Sequence, residues 1–305
     1  MTDVPVRPGA TDSFCDVDGL ALGHAEDRSV LTGVTVVLPD QPIVMAVDVR
    51  GGGPGTRETD ALAPDCLVQR VHGLVLSGGS VFGLAAADAV VSWLSARGIG
   101  LPIAPRPVPV VPAAVLFDLR NGGDKAWTRS PYPGLAEAAC AAADASARHG
   151  PIGAGLGARC GARAGGLGSA SLVGSDGPTV SALAVVNAFG QALPAAGGPA
   201  IDPAVIPFPK AGLIGTNTTL GVVATDLALD KAAAKRLAVM AQDGLARALR
   251  PIHTPFDGDT VFAVATGARA VAPADLAQTL ALAGTMAADA MVRAIAKALS
   301  APPAG

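Results

Sequence analysis

The residue of this sequence with the most specific chemistry open to it is a threonine that follows an asparagine at the head of an apolar run. The segment GTNTTLGVVAT, residues 215–225, carries Asn217 and Thr218 from a loop to the start of that run. A Thr218 hydroxyl in this setting can attack the Asn217 carbonyl and move the acyl group from nitrogen to oxygen. Water then hydrolyses the ester. The break frees the α-amine of Thr218, whose pKa of about 7.7–8.0 lies far below that of lysine. Such an amine acts as general base for its own hydroxyl near neutral pH, with no histidine required. A hydroxyl at a strand start is also an ordinary local cap, and spacing alone does not choose between the two.

A second cluster lies in HTPFDGDT, residues 253–260, where Asp257 and Asp259 flank a glycine just before another apolar run. Two close carboxylates share or order protons, although a polar D-G turn reads the same way. The familiar catalytic sets are poorly represented. His24, His72, His149 and His253 fall in no HExxH motif and beside no evident nucleophile. Ser77 reads LSGGS and Ser169 reads LGSAS, so neither sits in a G-x-S-x-G elbow. The stretch GLVLSGGS, residues 73–80, runs through Gly78 and Gly79 into a helical pattern, and N–H groups at a helix start can hold an anion. It lacks the Walker lysine and the G-x-G-x-x-G spacing. A nucleotide site there competes with a plain tight turn, as it does for GAGLG at 153–157.

These residues need a scaffold, and the pattern supplies one of mixed α and β type. Strands are expected at 33–38, 43–49, 73–76, 108–116, 169–173, 179–187, 219–225 and 260–266, and helices at 80–97, 134–148, 230–250 and 273–299. Asp230 is placed to cap the third helix, and Leu237, Ala241, Leu245 and Leu249 give it one apolar face. A Pro/Gly/Ala-rich stretch at 193–215 reads as an exposed linker. It divides a 217-residue part from an 88-residue β-α-β-α part that cannot bury its own faces. The second part must complete a sheet begun by the first.

Composition narrows the field. The chain has 305 residues, half of them hydrophobic, enough for one large domain. Net charge is −3 with no basic run, so nucleic acid is not an expected partner. Aromatic residues make up only 3%, so the core must be packed from Ala, Val, Leu and Gly, which allows close approach of layers. Cys15, Cys66, Cys140 and Cys160 form no metal-ligand spacing and read as small buried residues. The first residues carry acids and no apolar stretch, and no apolar run in the sequence reaches the length of a membrane span. A cytoplasmic protein without membrane contact is the expectation.

Taken in order, several segments resemble the S58 (P1) peptidases: the L-aminopeptidase/D-esterase proteins, the β-aminopeptidases and the nylon-oligomer hydrolases. They are GGGPGTRETD (51–60), GLVLSGGSVFGLAAADAV (73–90), GGLGSAS (165–171), ALAVVNAFG (182–190), NTTLGVVATD (217–226) and RPIHTPFDGDTVFAVATG (250–267). The resemblance implies an α/β (α+β) fold, the αββα sandwich of this family, similar to Ntn hydrolases but differently connected. It implies a single domain cleaved between Asn217 and Thr218 into chains 1–217 and 218–305, assembling as a homo-oligomer, commonly a tetramer of αβ units. Thr218 matches the nucleophile, Asn187 the asparagine near the oxyanion, and Asp257 and Asp259 the carboxylates that hydrogen-bond toward the nucleophile. The Thr/D-G-D combination tilts the resemblance toward the nylon-oligomer (6-aminohexanoate oligomer) hydrolases. The implied activity is hydrolysis of small linear amides or peptides, including N-terminal amino-acid amides, and the resemblance implies no metal or organic cofactor. Two departures stand out. Ala164, with Arg163 beside it, occupies the place of a lysine found in many relatives, and Phe117 that of a tyrosine. Arg163 and Phe117 are therefore substrate-pocket candidates. The missing lysine keeps open an alternative, an unprocessed member acting as a binding or assembly protein.

Overall fold

The computed structural model describes residues 3–175, 177–200, 202, 204–205 and 217–300. Two sheets face each other. The larger has the strand order β1 (Val6–Arg7), β10 (Gly166–Gly174), β11 (Thr179–Asn187), β13 (Thr218–Leu227), β15 (Thr260–Arg269) and β4 (Val44–Val49). Only β13 and β15 pair in parallel in this sheet. The smaller runs β2 (Leu20–Asp27), β3 (Thr32–Pro39), β6 (Leu74–Ser77), β7 (Ala113–Val115) and β5 (Gly55–Arg57). Two short ribbons, β8 (Arg159–Cys160) with β9 (Arg163–Ala164) and β12 (Gln191–Ala192) with β14 (Leu249–Arg250), decorate the ends.

The second part of the chain completes the first, as the sequence requires. Its strands β13 and β15 lie inside the larger sheet, between β11 and β4. Apolar side chains from the inner faces of both sheets, among them Leu22, Leu76, Leu183, Leu220, Val222 and Phe262, form the central core. The outer face of the larger sheet is covered by α3 (Lys231–Ala248) and α4 (Leu276–Ser300). The outer face of the smaller sheet is covered by α1 (Ala86–Ser95) and α2 (Tyr132–Ala141). The result is a four-layer α+β sandwich, helix–sheet–sheet–helix.

Small residues make this closeness possible. A Cβ on Gly168 of β10 would fall 2.3 Å from the Ala294 carbonyl oxygen of α4, so only glycine lets that helix settle on the strand. Among the described residues α4 is the one helix long and apolar enough to cross a membrane, and 56% of its apolar stretch is buried inside the protein.

The Asp230 cap is present, its side chain accepting from Ala233 N–H at 2.8 Å. Other expectations need correction. The strand expected at 108–116 is cut to Ala113–Val115, because Pro109 and Pro112 cannot donate to a ladder. The helix expected at 134–148 stops at Ala141, and Asp144 then bridges to Leu22 of β2, a strand not foreseen. The helix expected from residue 80 opens as a 3-10 turn, Ser80–Ala85, before α1. Most of the linker read at 193–215 lies outside the described residues.

Candidate active site

Thr218 opens β13, and the register places it directly opposite Asn187, the last residue of β11. Both are nearly fully buried. The loop from β14 into β15 passes over this strand start and extends the parallel pairing by one step, Asn217 against Asp257. The Gly258 N–H donates to the Asn217 carbonyl oxygen at 2.8 Å. The Thr218 hydroxyl donates to the same oxygen at 2.5 Å. The Thr218 hydroxyl, the Asn217 carbonyl and a backbone N–H donor thus meet in the intact chain. Glycine is needed at 258: a Cβ there would lie 2.6 Å from Thr218 Oγ1 and 2.8 Å from the Gly53 carbonyl oxygen.

The loop is fixed from two sides. Gly53 N–H donates to the Asp257 carbonyl oxygen and Gly52 N–H to that of Thr254. Inside it, Asp257 and Asp259 have no exposed surface. Asp257 Oδ1 accepts from Phe189 N–H at 3.1 Å, and Oδ2 accepts from the N–H and hydroxyl of Thr254. Asp259 Oδ1 accepts from Thr219 N–H at 2.8 Å, and Oδ2 faces the N–H and ring Nδ1 of His253. Burial, and then the neighbouring Asp259 charge, raise Asp257 above the ordinary carboxylate range, against the donors that hold it.

The carboxylates therefore reach Thr218 through its neighbours. The resemblance implies direct hydrogen bonds toward the nucleophile, and in the intact chain the carboxylate oxygens instead bind Thr219, His253, Thr254 and Phe189. The physical reason is that buried carboxylates need donors, and the surrounding backbone N–H groups supply them. His253, set aside in the sequence as lying beside no nucleophile, contacts the carboxylate that holds Thr219. Neither its left-handed backbone (φ 57°) nor that contact is legible from spacing.

Asn187 is clamped at both ends of its amide. Its Oδ1 accepts from Arg159 N–H at 2.9 Å, and its Nδ2 donates to the Phe117 carbonyl oxygen at 3.1 Å. Thr218 and Phe117 line a cleft of about 450 Å³ with Pro54, Thr56, Ser80, Val81, Leu84, Val115 and Leu116. Among the described residues no charged side chain lines it. Phe117, a pocket candidate in the sequence, thus lies in the same cleft as Thr218.

Arg163, the other pocket candidate, is not among the residues that line this cleft. The tight β8–β9 turn directs Arg163 to the C-terminal end of α4, where Nη2 donates to the Leu299 carbonyl oxygen at 3.5 Å, in a separate hollow with Lys297 and Ser300. The Gly78–Gly79 turn serves the protein's own acid: Gly79 N–H donates to Asp118 Oδ1 at 2.8 Å. A buried carboxylate already occupies the place where a phosphate would bind. Among the described residues no group of His, Cys, Asp and Glu is arranged to hold a metal ion.

The comparisons agree with this geometry. The family model for peptidase family S58 matches residues 12–303. An uncharacterised aminopeptidase of Mycobacterium bovis is 45% identical, covering 93% of this chain and 92% of its own length. A 6-aminohexanoate-oligomer endohydrolase of a Kocuria species is 26% identical, with 86% and 78% covered. Among solved structures, a Burkholderia β-aminopeptidase superposes with a TM-score of 0.75 at 22% identity, covering 96% of this chain and 88% of that one. The L-aminopeptidase D-Ala-esterase/amidase of Ochrobactrum anthropi, described as a variant of the Ntn hydrolase fold, gives 0.71 at 18% identity, with 96% and 86% covered. The fold is thus that of the Ntn-hydrolase-type aminopeptidases, and this chain belongs to peptidase family S58.

Proposed function

We propose that this peptidase-family protein is a self-processing amide hydrolase whose nucleophile is Thr218. The observation that carries the reading is the meeting of three groups on one peptide: the Thr218 hydroxyl 2.5 Å and the Gly258 N–H 2.8 Å from the Asn217 carbonyl oxygen. In the first step Thr218 Oγ1 adds to the Asn217 carbonyl carbon, and Gly258 N–H takes the developing negative charge. The C–N bond breaks, the nitrogen keeps the Thr218 side and gains a proton, and an ester links Asn217 to Oγ1. Water cleaves that ester, leaving the Asn217 carboxylate and a free Thr218 amine.

In the mature site that amine takes the hydroxyl proton as Thr218 attacks a substrate carbonyl. Asn187, held across the strand pair, supplies its amide N–H to the substrate oxyanion once it leaves the Phe117 carbonyl. Asp259 fixes the strand through Thr219 N–H, and Asp257 fixes the loop that carries Gly258. The cleft, walled among the described residues by the apolar Val81, Leu84, Val115, Leu116 and Phe117, favours small neutral amides. Short peptides, N-terminal amino-acid amides and linear aliphatic amides of the 6-aminohexanoate kind meet that description, as the names of the relatives suggest.

The test is Thr218→Ala beside the unaltered protein on a denaturing gel, with an amino-acid anilide as probe substrate. The variant should run as one full-length band without activity. Two bands from it would remove Thr218 from the nucleophile's role.

A further inference from the structure

The mechanism above leaves one group at the site without a task. His253 N–H and its ring Nδ1 both lie on Asp259 Oδ2, at 2.9 and 3.0 Å, and the other oxygen of the same carboxylate holds Thr219 N–H. The backbone of His253 is left-handed, φ 57°, a conformation most side chains resist. Its Nε2 is buried and has no hydrogen-bond partner among the described residues. Strain at a buried site persists where the surroundings impose it, and it marks functional positions. Here what is imposed is a ring held against a fully buried carboxylate that binds the N–H of Thr219, the residue after Thr218.

Among the described residues, Asp259 is held by the Thr219 N–H on one oxygen and by the backbone N–H and ring of His253 on the other. Asp257 is held by the Phe189 N–H and by the N–H and hydroxyl of Thr254. A buried carboxylate keeps its place only while its donors keep theirs, so the ring of His253 helps fix the carboxylate that aligns Thr219.

We propose that His253 is a positioning residue of the Thr218 site: by holding Asp259 through its backbone and ring it keeps Thr219, and with it the start of β13, in register for attack at Asn217. The inference rests on the self-cleavage reading and adds to it the group that fixes Asp259.

The test uses full-length precursor made by cell-free synthesis, with cleavage followed by intact mass. Asparagine tolerates left-handed backbone and keeps a side-chain donor for Asp259. His253→Asn should therefore cleave within a few fold of the unaltered rate. His253→Ala, lacking the side-chain donor, should lose at least tenfold in rate while its circular dichroism shows a folded chain. Unaltered kinetics in His253→Ala, or an equal loss in both variants, overturns the proposal. Failure of the unaltered protein to cleave overturns the self-cleavage reading and this inference with it. Normal cleavage of the unaltered protein with either of those variant outcomes overturns this inference alone.

Discussion

The Gly258 N–H and the Asn217 carbonyl oxygen face each other at 2.8 Å, across a parallel step that continues the β13–β15 pairing beyond the strands themselves. In the proposed self-cleavage this sheet hydrogen bond doubles as a donor to the carbonyl under attack. Its geometry is fixed before any reaction, the condition under which such donors are most effective.

Gly258→Ala probes that arrangement. The new methyl would press on Thr218 Oγ1 at 2.6 Å and on the Gly53 carbonyl oxygen at 2.8 Å. A misplacement on the order of 1 Å costs roughly a hundredfold in rate. Self-cleavage followed by intact mass should slow by that factor or more, with the fold retained by circular dichroism.

Asn187→Ala removes an amide that binds Arg159 N–H and the Phe117 carbonyl oxygen. Loss of one oxyanion donor typically costs on the order of 10²–10³ in kcat. Steady-state kinetics of matured protein should show that loss in kcat with a much smaller change in KM. Because Arg159 N–H is left unpaired, the variant should also lose about 1–3 kcal/mol of stability in denaturant unfolding.

Asp257 gives a pH-dependent stability. Its folded pKa is raised, so the native state binds this proton more tightly than the unfolded chain does. Its contribution to stability is greatest below the ordinary carboxylate value, falls as pH rises toward the folded pKa, and is constant above it. Asp257→Asn is neutral throughout and lacks that slope. The difference in Tm, unaltered protein minus variant, should therefore fall as pH rises through this window, read by thermal unfolding at a series of pH values. A difference independent of pH would mean that the carboxylate is not perturbed.

The neutral cleft wall makes a prediction about substrate. Leu84→Glu places a carboxylate among Val81, Val115 and Phe117. Neutral amides should show a KM raised by about tenfold or more, since a buried charge without a partner is costly. Amides with a positive charge on the reacting side should lose less. Equal losses for both would argue that this cleft does not receive substrate.

Much of this was legible in the sequence because it depends on local pattern. A β-α-β-α segment with two apolar runs and no partner had to enter a sheet begun elsewhere, and β13 and β15 do so between β11 and β4. Thr218 stood at a strand head and Asp257 and Asp259 just before another, so parallel pairing of those strands brings them together. What was not legible depends on turns and distant contacts. The strand Leu20–Asp27 mixes Gly, His and acids, and only its partner β3 and the bridge to Asp144 reveal it. Arg163 adjoins a motif in sequence, yet a two-residue turn sends it to α4. His253 looked remote from any nucleophile because its hold on Asp259 needs a left-handed backbone six residues away.

The most direct measurement is the intact mass of the active, unaltered protein. The account predicts two polypeptides, one ending at Asn217 and one beginning at Thr218 with a free amine. Activity residing in a single chain with the 217–218 peptide bond unbroken would leave the reaction without its base and would contradict it.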